Sequence, residues 1–179
     1  MVRIHLSPPN RDVAQLVAHV LWEHEVAGSS PVIPTTLNDI MKKCGIIDSQ
    51  RLTPHDPVRP NIPDWWRVRD GVTEMYKLGD PWDACICLAF CEDIPRSEFR
   101  LLTSPKPGST AVFYTVWSRR KGAGREIILE GLSLLKHRAT RFVTLSPKTE
   151  QAMRFHLSNG AVLLRENLTT FNFEYGVPC

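Results

Sequence analysis

The sequence predicts one α/β domain, and three stretches predict it. An apolar, β-favouring segment from Ala111 to Trp117 runs into a basic loop with two glycines, 118–125. The loop opens a stretch in which Ile127, Ile128, Gly131, Leu132 and Leu135 recur at helical spacing. A second series of strand, helix and hairpin fills 139–175. Ahead of both, Cys85, Cys87, Ala89 and Cys91 alternate with Ile86, Leu88 and Phe90. Both faces of that run are apolar, as in a strand buried inside a sheet.

Composition sets the outer bounds. The chain has 179 residues, 42% hydrophobic and 23% charged, which suffices for one domain with its own core. A net charge of +3 does not by itself point to nucleic acid or a membrane surface. Five cysteines with no secretory signal imply reduced thiols and a cytoplasmic chain. No apolar run approaches the ~20 residues that span a bilayer.

The first 36 residues differ from the rest. Arg11 to Trp22 has the spacing of a short amphipathic helix. The words Val13 to Val17 and Val26 to Val32 also resemble the conceptual translation of a transfer-RNA gene, since Gly-Ser-Ser-Pro can be written by a T-arm and Ala-Gln-Leu-Val by a D-arm. On that reading residues 1–36 were never selected as protein, are loosely packed, and the domain is 37–179. Thr36 to Gly45 predicts a short capped helix closed by glycine. Pro54, Pro57, Pro60 and Pro63 make 51–64 an extended linker. Trp65 and Trp66 cover a core edge or line a cleft, and 69–77 is expected to be a short helix. The cysteine run 85–91 has a zinc reading, but its spacing is not that of paired C-x₂-C ligands, and the buried strand is preferred. Residues 97–102 predict a weak strand, and 105–108 a turn.

The loop 118–125 suits a phosphate, because first-turn N–H groups are unpaired, the helix dipole is positive there, and glycine admits close approach. No Lys-Ser or Lys-Thr follows the glycines, so it is not a nucleotide-triphosphate loop. Ile127 stands where a dinucleotide fingerprint needs its third glycine. What remains is Arg119-x-x-Gly122-x-Gly124. Beyond it, Ala139 to Ser146 reads as a strand stopped by Pro147, and Lys148 to Gly160 as a helix ended by Asn-Gly. Residues 161–164 and 168–175 form a closing hairpin.

Arg119-x-x-Gly122-x-Gly124, with Ala152, Phe155 and Gly160 in the following helix, resembles the GCN5-related N-acetyltransferases, the GNAT family, over 111–176. The resemblance implies an acyl-CoA N-acyltransferase-like fold, α/β (α+β) with a mixed, mostly antiparallel sheet flanked by helices. It implies acetyl-CoA as substrate, held by Val116, Trp117, Arg119, Arg120, Lys121, Gly122, Ala123, Gly124 and Arg125. The implied reaction is direct attack of a primary amine on the thioester, with the acceptor unidentified. His156 stands where the family has the tyrosine that protonates the departing thiolate, and an imidazolium could do the same. Glu92 is the carboxylate taken as base, with Asp93 and Glu174 as other candidates and none marked by spacing. No metal is implied. The basic stretch 119–141 lacks the aromatic interleaving of a nucleic-acid surface. A second reading is a catalytically inactive relative serving as a structural or interaction protein, encoded by a phage; the irregular front half, His156 and the transfer-RNA-like start favour it.

Overall fold

Apolar alternation and β-branched content turn the middle of the chain into sheet, and the computed structural model describes residues 41–103 and 106–176. Its strands are β1 (Lys42–Lys43), β2 (Thr73–Leu78), β3 (Ala84–Cys91), β4 (Thr110–Ser118), β5 (Arg141–Thr144), β6 (Ser146–Pro147), β7 (Val162–Glu166) and β8 (Thr170–Tyr175). They lie in the order β1-β2-β3-β4-β5-β8-β6, with β7 beside β8. Every described pair is antiparallel except β4 with β5. The helices are α1 (Ile46–Leu52), α2 (Asp64–Arg67), α3 (Glu98–Thr103), α4 (Ala123–Leu135) and α5 (Glu150–Ser158).

Each face of the sheet has its own core. The stripe Ile127, Ile128, Leu132 and Leu135 of α4 packs with Ile86, Leu88, Phe113 and Phe142 on one face. On the other, Cys85, Cys87, Val112, Tyr114 and Trp117 are covered by Leu52, Ile62 and Trp66. β3 is buried along its whole length, as its two apolar faces require. Helix α5 starts at Thr149, whose hydroxyl accepts from the N–H of Ala152 at 3.2 Å.

Four expectations are corrected. Residues 73–78 form a strand rather than a helix, because Thr73, Met75 and Lys77 pair across to Ala89, Cys87 and Cys85 of β3. Residues 98–103 are helical rather than extended; the Ser97 hydroxyl accepts from the N–H of Arg100. The proline-rich stretch 51–64 takes in the end of α1, a 3₁₀ turn at Thr53–His55 and the first residue of α2. Its prolines sit at helix starts and between turns, where a missing N–H costs nothing. At Lys42–Lys43, inside the expected helix 36–45, lies a strand edge, and Gly45 precedes a helix instead of closing one. The reading of residues 1–36 lies outside the described residues. No described helix is long and apolar enough to cross a membrane.

Candidate functional site

β4 and β5 run side by side only from the Thr110–Arg141 pair to the Phe113–Thr144 pair. The last bond between them is Leu145 N–H to Phe113 O at 2.9 Å. Beyond it the strands part, while β4 stays paired with β3 as far as Ser118. At the parting Tyr114 is a bulge: Phe113 faces Leu88 and Thr115 faces Cys87, leaving Tyr114 without a partner. A cleft edged by backbone therefore leads from Tyr114 to the loop at 118–124.

The loop is tightly built. Gly122 has φ +83°, a conformation open to glycine, and it precedes the first turn of α4. Arg120 donates Nε to Asp83 at 2.8 Å and both terminal nitrogens to Glu126, at 3.1 and 2.7 Å. The Glu126 bond is the main reason its pKa is raised. Arg119 lies 4.8 Å over the Trp82 ring, and its N–H donates to Asp83 O. Inside the protein the loop engages the N–H groups of Arg119, Ala123, Arg125 and Glu126. Those of Arg120, Lys121, Gly122 and Gly124 find no backbone partner among the described residues. Four unpaired donors thus lie in the turn that opens α4, and unpaired N–H groups at a helix start are the chemistry of an anion site.

The residues named from the sequence fare differently here. Lys121 and Arg125 are exposed, and Arg119 is exposed over its tryptophan. Arg120 braces the loop. Ala123 and Gly124 are buried, with Ser118 Oγ and the Phe155 ring 3.4 to 3.6 Å from where a Gly124 side chain would start. Val116 packs towards α4, and Trp117 is turned into the opposite core with Arg67 5.8 Å over its ring. Only the backbone of these two borders the cleft.

His156 is buried, and both its nitrogens are engaged. Nε2 lies 2.8 Å from Ser146 Oγ, and Nδ1 lies 2.8 Å from Tyr175 Oη. Ser146 already donates its hydroxyl to Thr144 Oγ1 at 3.0 Å. Nε2 therefore carries the proton given to Ser146, and Tyr175 donates to Nδ1. Phe173 stacks on the ring at 5.0 Å. Burial pulls its pKa down to about 4, so the resting ring is neutral. The imidazolium donor expected from the sequence is absent from this resting arrangement, and Ser146, next to Leu145 at the parting, is the group His156 touches.

Glu92 is not brought to the cleft. It follows the Cys91 end of β3, four residues and about 13 Å along the strand from Leu88, which faces Phe113 at the parting. Lys106 is its partner at 3.9 Å. Glu174 is held by Arg141 in a two-pronged pair at 2.7 and 3.0 Å, which lowers its pKa. Ser146, Tyr175, Asp56, Arg59 and Arg67 were not singled out from the sequence, and no local motif marks them.

No protein-family model and no curated protein matches the sequence. Solved structures do match its fold. The malonyl-CoA decarboxylase from Agrobacterium vitis superposes with a TM-score of 0.65 at 14% identity over 75% of this chain, which spans 60% of that chain. The PaiA N-acetyltransferase from Thermoplasma acidophilum, in complex with coenzyme A, gives 0.53 at 14% identity over 75% of this chain and 96% of that one. The GNAT domain of S. lividans PAT gives 0.54 at 13% identity, covering 75% and 88%. The fold is GNAT-like, as the resemblance implied.

Proposed function

We propose that the chain binds acetyl-CoA with its pyrophosphate on the 119–124 loop and its pantetheine between β4 and β5, and transfers the acetyl group to a primary amine. The observation that carries this reading is the parting of β4 from β5 immediately before a glycine turn that opens a helix. Arg119, Lys121, Gly122, Gly124 and Arg125 hold the phosphates, Ala123 seats the first turn of α4 in the core, Arg120 keeps the loop in shape, and Val116 and Trp117 offer backbone to the pantetheine. Coenzyme A in one of the matched structures supports the ligand class.

The chemistry asks little of the side chains. The neutral amine attacks the carbonyl carbon, the new C–N bond forms, and the C–S bond breaks. The proton lost by the amine ends on the thiolate, so the atoms balance without a further reactant. A backbone N–H at the Tyr114 bulge is the donor for the oxyanion. His156 acts by holding Ser146 at the parting, a positioning role. Glu92, four residues along β3 from the parting and paired with Lys106, is not assigned the base.

A second reading shares the same coenzyme site. The likeness to malonyl-CoA decarboxylase, and a buried histidine–serine pair where a tyrosine was expected, favour a carboxylated acyl thioester that loses carbon dioxide and takes up a proton at the carbon left behind.

Calorimetric titration tests the shared premise. Coenzyme A should bind the wild type, and Gly122→Val should abolish binding. No heat and no shift in Tm at saturating coenzyme would reduce the loop to a turn.

A further inference from the structure

The two adjacent arginines that open the phosphate loop are employed differently. Arg120 is spent, because Asp83 and Glu126 take its Nε and both terminal nitrogens. Arg119 is not. Asp83, the carboxylate beside both, already holds Arg120, and the Arg119 side chain has no ion pair among the described residues.

Aromatic rings order Arg119 instead. Its guanidinium carbon lies 4.8 Å over the Trp82 ring, and its backbone N–H donates to Asp83 O at 2.9 Å. Trp82 is half-buried in the turn between β2 and β3, packed against the core that Leu52, Ile62 and Trp66 cover. The His55 ring rests beside the same indole, with centroids 5.6 Å apart and planes tilted by 35°. Three segments distant in sequence thus build one column at the edge of the loop, and both His55 and Arg119 are exposed there. A cation lying over an indole is held without spending its N–H donors, so its edge stays open to a ligand.

Charge points the same way. The unpaired N–H groups of Arg120, Lys121, Gly122 and Gly124 suit a pyrophosphate, which carries one charge on each phosphorus. Lys121 and Arg125 are exposed and, like Arg119, make no ion pair among the described residues. That is more positive charge than a pyrophosphate matches. A phosphomonoester would bring about two further negative charges at neutral pH.

We propose that Arg119, positioned on the Trp82 and His55 rings, binds the phosphomonoester on the coenzyme's ribose, so that the protein distinguishes coenzyme A from its 3′-dephospho form. This rests on the coenzyme reading above. Phosphate oxygens accept parallel N–H bonds from the guanidinium edge while the indole keeps the guanidinium in place. Trp82 and His55 are positioning residues, acting through Arg119.

The test is calorimetric, on the full chain, with coenzyme A compared with 3′-dephospho-coenzyme A. The wild type should bind coenzyme A about 10-fold more tightly, and the gap should narrow at high salt. Arg119→Gln changes an exposed side chain and keeps the backbone bond to Asp83, so its Tm should hold. It should bind both coenzymes alike, at the wild type's affinity for the dephospho form. Trp82→Leu keeps the cation and removes its platform. It should lose most of the preference yet keep the affinity for the dephospho form, a split that general destabilisation does not produce. Equal binding of the two coenzymes by the wild type overturns the proposal and leaves the loop reading standing. Either variant keeping the full preference overturns it as well. If neither coenzyme binds the wild type, the loop reading falls and takes this one with it.

Discussion

Glu126 grips Arg120 across the Gly122 turn with both carboxylate oxygens, and Asp83 takes the remaining Nε of the same guanidinium. A cation inside the motif thus serves the shape of the loop. A preshaped loop spends less entropy on ordering when a ligand arrives.

Removing Glu126 should therefore have opposite effects on stability and on binding. Glu126→Gln loses a half-exposed pair, costing at most about 1 kcal/mol in stability. It also frees one positive charge beside the pyrophosphate, so coenzyme A should bind several-fold tighter at low ionic strength and less so at high salt. Titrations at two salt concentrations check this. Weaker binding at low salt would mean that loop shape outweighs charge.

Gly122→Ala separates backbone strain from ligand contact. A side chain there has space, with Glu126 Oε1 3.7 Å away, but φ +83° costs an alanine about 1–2 kcal/mol. Gly160, at φ +88° past the end of α5 with open space around it, carries the same strain outside the loop. Both variants should melt earlier by similar amounts, and only Gly122→Ala should weaken coenzyme A. Equal loss of affinity in both would assign the effect to global destabilisation.

The four described cysteines are buried free thiols. Burial pushes Cys44 and Cys87 up to about 12 and Cys91 up to about 11. Since the thiolate is the reactive form, alkylation of Cys44, Cys85, Cys87 and Cys91 should follow global unfolding. Peptide mass mapping after a short exposure to iodoacetamide should find all four unmodified. Labelling of Cys85 or Cys87 in the native protein would contradict the buried strand.

The back half was legible because its signals are local. A strand running into Gly122 and Gly124, and a helix running into Gly160, announce themselves within a dozen residues. The front half was not. Thr73 to Leu78 is a strand because β3 lies beside it, and nothing inside Thr73-Glu74-Met75-Tyr76-Lys77-Leu78 separates that outcome from a helical turn. The site divides in the same way. Arg119 to Arg125 could be read as a string, whereas Arg59 meets Leu145 across 86 positions, and no pattern in sequence foretells that contact.

His156 gives the prediction with the clearest sign. Its ordinary pKa is 6.5, and burial lowers the folded value to about 4. The unfolded chain therefore binds the extra proton first. Stability from this group is complete above 6.5 and is lost as pH falls towards 4, by about 2–3 kcal/mol across the window. Ser146, Tyr175 and Phe173 surround the ring, and none offers a negative charge to offset the loss. Urea unfolding of wild type and His156→Phe at pH values above and within the window measures the difference. The variant should be weaker at neutral pH, because Tyr175 Oη loses its acceptor, yet its stability should fall less on acidification. Parallel curves would mean that the ring is reached by water and already titrates normally. The same variant bears on turnover. If His156 acts by holding Ser146, His156→Phe and Ser146→Ala should each lower kcat with KM nearly unchanged, and the double variant should be no worse than either alone. Additive losses would give the two residues separate tasks. A wild type that binds coenzyme A and turns over neither an amine nor malonyl-CoA would leave the inactive, structural reading as the one to pursue.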